Sequence, residues 1–177
     1  MDKNNVLIRK AIAEDAEQYI RLKNLVWRNA YKDIFPEEVF LEMESKFAEK
    51  VEKFPSVFVN DNTKITCVAV SDGEIVGLMH GALKSKYDYF AENGFADLIA
   101  LYIKPEYQHN GIGQKLKDEF EKWARQNGAK KFVIGVLKDN KKARKAYEKW
   151  GGKLDSHEQQ FIRLGVGYSE VFYTYDL

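Results

Sequence analysis

The chain has little of several things, and each shortage excludes something. One cysteine, Cys67, cannot close an internal disulfide and fits a reducing compartment. It lies in the apolar run ITCVAV, where a buried structural thiol is the ordinary role and a nucleophile the rarer one. His80, His109 and His157 keep no ligand spacing with one another or with that cysteine, so no metal site is expected. Only three prolines occur, with no Pro/Ser-rich linker, repeat or low-complexity stretch, and a single domain over residues 1–177 is expected. An excess of one charge is also missing. The net charge of +1 argues against affinity resting on nucleic-acid phosphates. No stretch approaches the roughly 20 apolar residues that span a bilayer. The opening MDKNNVLIRKAIAEDAEQ is polar where a signal peptide would be apolar. A cytoplasmic protein, with neither nucleic acid nor membrane as partner, is the expectation.

What is present suits a globular core: 45% of residues are apolar and 31% charged. VLIRKA reads as a first strand, and AEDAEQYIRLKNLVWRNAY as a helix with Tyr19, Leu22, Val26 and Ala30 at helical spacing. KDIFPEEVFLEMESKFAEKVEKF suggests one further helix beginning near Pro36. The period then changes. KITCVAV and EIVGLMHGAL flank Ser71-Asp72-Gly73, a strong hairpin signal. FADLIALYI gives another strand, and a helix from about Gly111 to Asn127 buries Ile112, Leu116, Phe120 and Trp123 before the glycine cap Gly128. KFVIGVL, a short helix over Asn140 to Trp150, and two strands over about 153–164 and 168–176 complete a mixed α/β domain.

The informative stretch is PEYQHNGIGQKLKDEF, because two glycines stand where an amphipathic helix begins. Glycine is a poor helix former but lets backbone approach a ligand closely. The first amides of a helix, with its dipole, make a ready anion site. A diphosphate-bearing ligand fits such a loop. A Walker loop fails, since Gly113 is followed by Gln114-Lys115 rather than Lys-Ser/Thr. A dinucleotide fingerprint fails too, because Leu116 stands where its third glycine belongs.

Gln108-His109-Asn110-Gly111-Ile112-Gly113 does match a Q/R-x-x-G-x-G/A signature. Here the chain resembles the GCN5-related N-acetyltransferases. A second segment, NKKARKAYEKWGG, is similar to the family's Asn-x-x-Ala-x-x-x-Tyr-x-x-x-Gly pattern through Asn140, Ala143, Tyr147 and Gly151. Two departures stand out: Gly152 where the family commonly has phenylalanine, and Trp150 where a smaller aliphatic is common. Both suggest altered packing beside the acceptor site.

The resemblance implies a mostly antiparallel sheet flanked by helices, with a central strand–loop–helix cofactor site. It implies acetyl-CoA as donor, without a metal, and direct attack by an amine through a tetrahedral intermediate. The backbone of Leu101, Tyr102 and Ile103 would hold the pantetheine at a bulged, splayed strand. The loop from Gln108 to Gln114, with His109, Asn110, Gly111, Ile112 and Gly113, would hold the pyrophosphate. Asn140 and Ala143 would contact the cofactor, Asn140 also capping its helix, and Lys142 or Arg144 would meet the adenosine 3′-phosphate.

A primary alkylamine of pKa about 10.4 must lose a proton before it attacks. Asp97 is the first candidate base, since alternation places it on one face with Ile99, Leu101 and Ile103; the plain alternative is a solvated aspartate. Glu170 is the second, and a water relay stays open. Tyr147 would protonate the departing thiolate, its plain alternative being a core tyrosine. For the acceptor, Trp27, Tyr31, Phe35 and Phe40 with Asp33, Glu37 and Glu38 suit a cationic amine, and they also suit an ordinary helix pair with a wet face. A small amine or polyamine is the expected partner. A peptide N-terminus, another acyl group, or a non-catalytic acyl-CoA sensor are the alternatives, and exposed strand edges admit a homodimer.

Overall fold

The computed structural model describes residues 6–177; the polar residues 1–5 lie outside the described range. The elements run β1 (Leu7–Lys10), α1 (Ala16–Tyr31), α2 (Glu37–Ser45), α3 (Phe47–Phe54), β2 (Lys64–Ser71), β3 (Glu74–Ala82), α4 (Asp88–Glu92), β4 (Ala96–Ile103), α5 (Ile112–Gln126), β5 (Lys131–Leu137), α6 (Lys141–Lys149), β6 (Lys153–Arg163) and β7 (Val166–Asp176). They build one seven-stranded sheet of order β1-β2-β3-β4-β5-β7-β6. Every pairing is antiparallel except β4 with β5. The β2–β3 turn is the one expected: Asp72 and Gly73 both have positive φ, 48° and 81°, which the twist of a tight hairpin favours.

Helices cover both faces. On one, α5 buries Ile112, Leu116, Phe120 and Ala124 at helical spacing against Val76, Met79, Leu98 and Ile134. Phe120 lies so close to β3 that a Cβ at Gly81 would overlap its ring. On the other face, α1 places Tyr19, Ile20 and Val26 against Val68 and Leu78.

The single helix expected after Pro36 is two, divided at Lys46 (φ −90°, ψ 9°) and followed by a π-helical turn over Pro55–Val59. Burial explains the break. Phe40 and Met43 of α2 join the cluster around Tyr31 and Phe35, whereas Phe54 of α3 packs on Tyr19 at 5.0 Å between ring centroids. One straight helix could not serve both. The short α4, which buries Phe90, carries too few residues to show a helical period.

Candidate active site

The glycine loop forms the start of α5. Gly111 is its N-cap, with φ 76° and ψ −2°, and His109 before it also has positive φ. The amides of Ile112, Gly113 and Gln114 have no intrahelical acceptor, because the first such bond runs from Lys115 N–H to the Gly111 carbonyl at 3.1 Å. The two glycines answer different needs. A Cβ at Gly111 would meet nothing within 4 Å, so its left-handed backbone is what calls for glycine. At Gly113 a Cβ would press on Trp150 at 3.2 Å. Trp150 therefore packs against the loop, as well as on Tyr147 at 5.8 Å between ring centroids.

Loop and α6 are tied together. Lys142 Nζ donates to Gln108 Oε1 at 2.7 Å, and Gln108 Nε2 donates to the Ile103 carbonyl at 3.1 Å. Asn110 turns its amide onto the Tyr107 and Gln108 carbonyls. Arg144, in contrast, is engaged with the Tyr173 hydroxyl at 3.1 Å and the Lys138 carbonyl at 3.0 Å. Of the two cations considered for an adenosine phosphate, Lys142 is the one at the loop.

The strand before the loop is bulged and splayed. Gly81 faces Leu98 and His80 faces Ala100, so Ile99 is the extra residue. The bulge reverses the alternation beyond it: Leu101 and Ile103 share the α5-side cluster with Leu98, while Ala100 and Tyr102 pack on the α1 side. Asp97 thus does not share a face with Leu101 and Ile103, as plain alternation had placed it. Parallel pairing with β5 is confined to Ala96 with Phe132 and Asp97 with Val133. Beyond that fork the strands part.

Aromatic hydroxyls gather there. Trp27 Nε1 donates to the Tyr102 hydroxyl at 2.8 Å, and Asn140 Nδ2 donates to the Tyr31 hydroxyl at 3.2 Å. Asn140 Oδ1 meanwhile accepts from the Ala143 amide, capping α6 as expected. Tyr147 lies near Tyr31 and Tyr102, and burial, with those neighbours, pushes its phenol above the usual range.

The model of the "Acetyltransferase (GNAT) family" matches residues 22–152. The chain belongs to the GNAT family of acetyltransferases. Among curated proteins it is similar to a spermidine N(1)-acetyltransferase of Thermoplasma acidophilum, 29% identical over 164 residues, 89% of this chain and 95% of that protein. Among solved structures it resembles the PaiA N-acetyltransferase of Thermoplasma acidophilum in complex with coenzyme A, with TM-score 0.69 and 24% identity over 94% of this chain and 98% of that one. A GCN5-related N-acetyltransferase from Rhodopseudomonas palustris has TM-score 0.72 and 21% identity, covering 97% and 95%.

The GNAT assignment accounts for the loop, the bulge and the splay together. This chain's departures from the family pattern also find their cause. A Cβ at Gly152 would lie 2.6 Å from the Tyr175 hydroxyl, which donates to the Tyr147 carbonyl at 2.9 Å. Tyr175 fills the space that a larger residue 152 would need.

Of the acidic residues expected beside the aromatics of the N-terminal helices, none is buried. Glu37 is paired with Arg28 at the surface, and Asp33 and Glu38 are exposed. The aromatic residues do come together: Trp27, Tyr31 and Phe35 pack with Phe161 and Tyr168 of the β6–β7 hairpin. Buried carboxylates come instead from the sheet. Asp97 is fully buried, and its Oδ2 accepts from Ser85 Oγ and the Lys86 amide, both at 3.1 Å. Its Oδ1 has no hydrogen-bond partner. Burial, opposed by those bonds and Lys86, raises Asp97 to about 6. Glu170, 6% exposed, accepts from the Tyr87 hydroxyl at 2.8 Å and Gln159 Nε2 at 2.9 Å.

Sequence reading missed Tyr87, Ser85 and Gln159; hydroxyls and amides in a loop and an edge strand carry no pattern by themselves. Burial holds the Cys67 thiol at about 11, which fits the structural role. No group of three or more His, Cys, Asp or Glu among the described residues could hold a metal, and no described helix is long and apolar enough to cross a membrane.

Proposed function

We propose that this protein transfers the acetyl group of acetyl-CoA to a small cationic amine of the polyamine type. The observation that carries the reading is a pair of buried carboxylates, Asp97 and Glu170, on the sheet face walled by Trp27, Tyr31, Phe35, Phe161 and Tyr168. Aromatic faces and carboxylates attract an alkylammonium, and the aromatic rings accommodate its methylenes. The name of the Thermoplasma relative supports the same class. The loop fits the donor's diphosphate through the amides of Ile112, Gly113 and Gln114, with Lys142 at its rim. The splayed backbone of Leu101 to Ile103 suits the pantetheine.

In this reading Asp97 takes the proton of the incoming amine; a carboxylate near 6 is ionised at neutral pH yet basic enough to help. Tyr147, kept protonated by burial, gives a proton to the departing thiolate. Asn140 orients the acceptor wall by capping α6 and bonding Tyr31. Steady-state thiol release tests the reading: spermidine should exceed butylamine in kcat/KM at low salt, and added salt should narrow the gap. Equal turnover of the two would overturn the polyamine class, and no release with any amine would overturn the transferase.

A peptide N-terminus is a second reading, favoured by one observation. Lys23, a helical turn before Trp27, is lowered to about 8 by burial and by Lys50, Lys86 and Arg163 nearby. Such a cluster of cations suits an acceptor that also carries carbonyl or carboxylate oxygens. Acetylation of a short acidic peptide in preference to spermidine would favour it.

A further inference from the structure

Tyr87, outside both sequence motifs, is placed with unusual care. Its ring packs edge-on against Phe172 at 4.7 Å and near Phe90 at 6.4 Å, and it is almost wholly buried. From there its hydroxyl crosses the strand to Glu170 Oε1 at 2.8 Å. The crossing passes over Gly135 of β5. A Cβ at Gly135 would collide with the Tyr87 hydroxyl and come within 2.9 Å of Glu170 Oε1. Glycine here is needed for that close approach. The backbone amide of Tyr87 donates to Ser85 Oγ at 3.2 Å, and Ser85 Oγ donates to Asp97 Oδ2. One short loop thereby fixes both buried carboxylates.

Strand register puts the two acids on one side of the sheet. Asp97 faces Val133 at the last rung before β4 and β5 part, and Leu137, four residues along β5, faces Glu170. Each Glu170 oxygen accepts one donor and so keeps a lone pair to offer. The buried Asp97 Oδ1 accepts from no donor. A buried acceptor left so is free to take a donor from outside the protein.

We propose that Tyr87 is a positioning residue for the acceptor, holding Glu170 over Gly135 so that Glu170 and Asp97 together seat the ammonium of the incoming amine. This rests on the amine-acetyltransferase reading above and names the residues that recognise its substrate. Tyr87 acts through Glu170 and touches no reacting atom. An ammonium has three donors, enough for both carboxylates, whereas a neutral hydroxyl has one.

The test compares wild type with Tyr87→Phe, Glu170→Gln and the double variant. Spermidine affinity is read by calorimetry in the presence of coenzyme A, and KM for each substrate by thiol release. Tyr87→Phe keeps the packed ring and should weaken spermidine binding about tenfold, as loss of a hydrogen bond to a charged group does. The loss should appear in the spermidine KM, with the acetyl-CoA KM within about twofold. In the Glu170→Gln background the same change should cost less than about threefold, because coupled residues are not additive. Gln159→Leu, which removes the other donor at the sheet edge, should act in the same direction as Tyr87→Phe. Unchanged affinity in Tyr87→Phe, additive losses in the double variant, or no spermidine binding by wild type would overturn the proposal. Absent thiol release with retained, Tyr87-dependent binding would sink the transferase reading while leaving the seat in place.

Discussion

Asp97 and Tyr147 are both shifted upward by burial, and the same shift suits them to opposite tasks. A carboxylate raised to about 6 is a stronger base that is still ionised at pH 7. A phenol held above its usual range stays protonated wherever the enzyme works, so it can only donate. Replacing Tyr147 by Phe keeps the contacts with Trp150 and Tyr173. The acetyl-CoA affinity should change little, while kcat should fall about 10²-fold, the lower end of general acid catalysis, since a weak acid transfers its proton with less drive. No alkaline limb from Tyr147 should appear in the wild-type profile below the denaturing range. A kcat within about twofold of wild type, with chemistry rate-limiting, would make Tyr147 a core residue.

At the scale of elements, the loop before α5 depends on two neighbours of different kinds. Gly111 bends the chain into a left-handed turn that aims the first amides outward, and Trp150 of the α6 end holds the helix start through Gly113. Gly111→Ala has room for its methyl but not the backbone preference, a cost of about 1–2 kcal/mol. In a chain of this length that lowers Tm by about 2–8 °C. Acetyl-CoA at about 100 times its Kd should add about 2.7 kcal/mol to wild type, and less to the variant, because the turn no longer presents the amides as well. Differential scanning fluorimetry with and without acetyl-CoA checks both. An equal ligand-induced shift in the two proteins would place the diphosphate elsewhere.

For the whole molecule, the buried Asp97 makes stability depend on pH in an uncommon direction. Its folded value of about 6 lies above the ordinary value of 3.8, so the folded state binds the proton more tightly than the unfolded chain. The contribution is fully present below about pH 4 and is lost as pH rises through 6, by about 3 kcal/mol in all. Asp97→Asn removes the titration while an amide can keep the acceptor for Ser85 and Lys86. In urea unfolding, the stability of Asp97→Asn relative to wild type should rise by about that amount between pH 4 and pH 8. A difference that stays flat with pH would show that Asp97 is not desolvated.

The loop motif, the cap at Asn140, the Asp72-Gly73 hairpin and the apolar stripe of α5 were all legible in the sequence, because each rests on bonds or periodicities within a few residues. So was the family, through two short segments in order. The phase of β4 was not. One extra residue at Ile99 turns every later side chain over, and a bulge is set by pairing with β3, some twenty residues away. The break between α2 and α3 likewise depends on two separate clusters that a local period cannot see. The buried Asp97 and Glu170 lie on neither of the helices whose carboxylates the sequence displays. They came from β4 and β7, with Tyr87 reaching across Gly135 to fix one of them. Sequence determined the glycine loop that opens α5, since a helix start is local. Asp97 and Glu170 were legible as candidate bases, but only the tertiary structure decided their burial and their partners, since these belong to the packed sheet and to no stretch of chain.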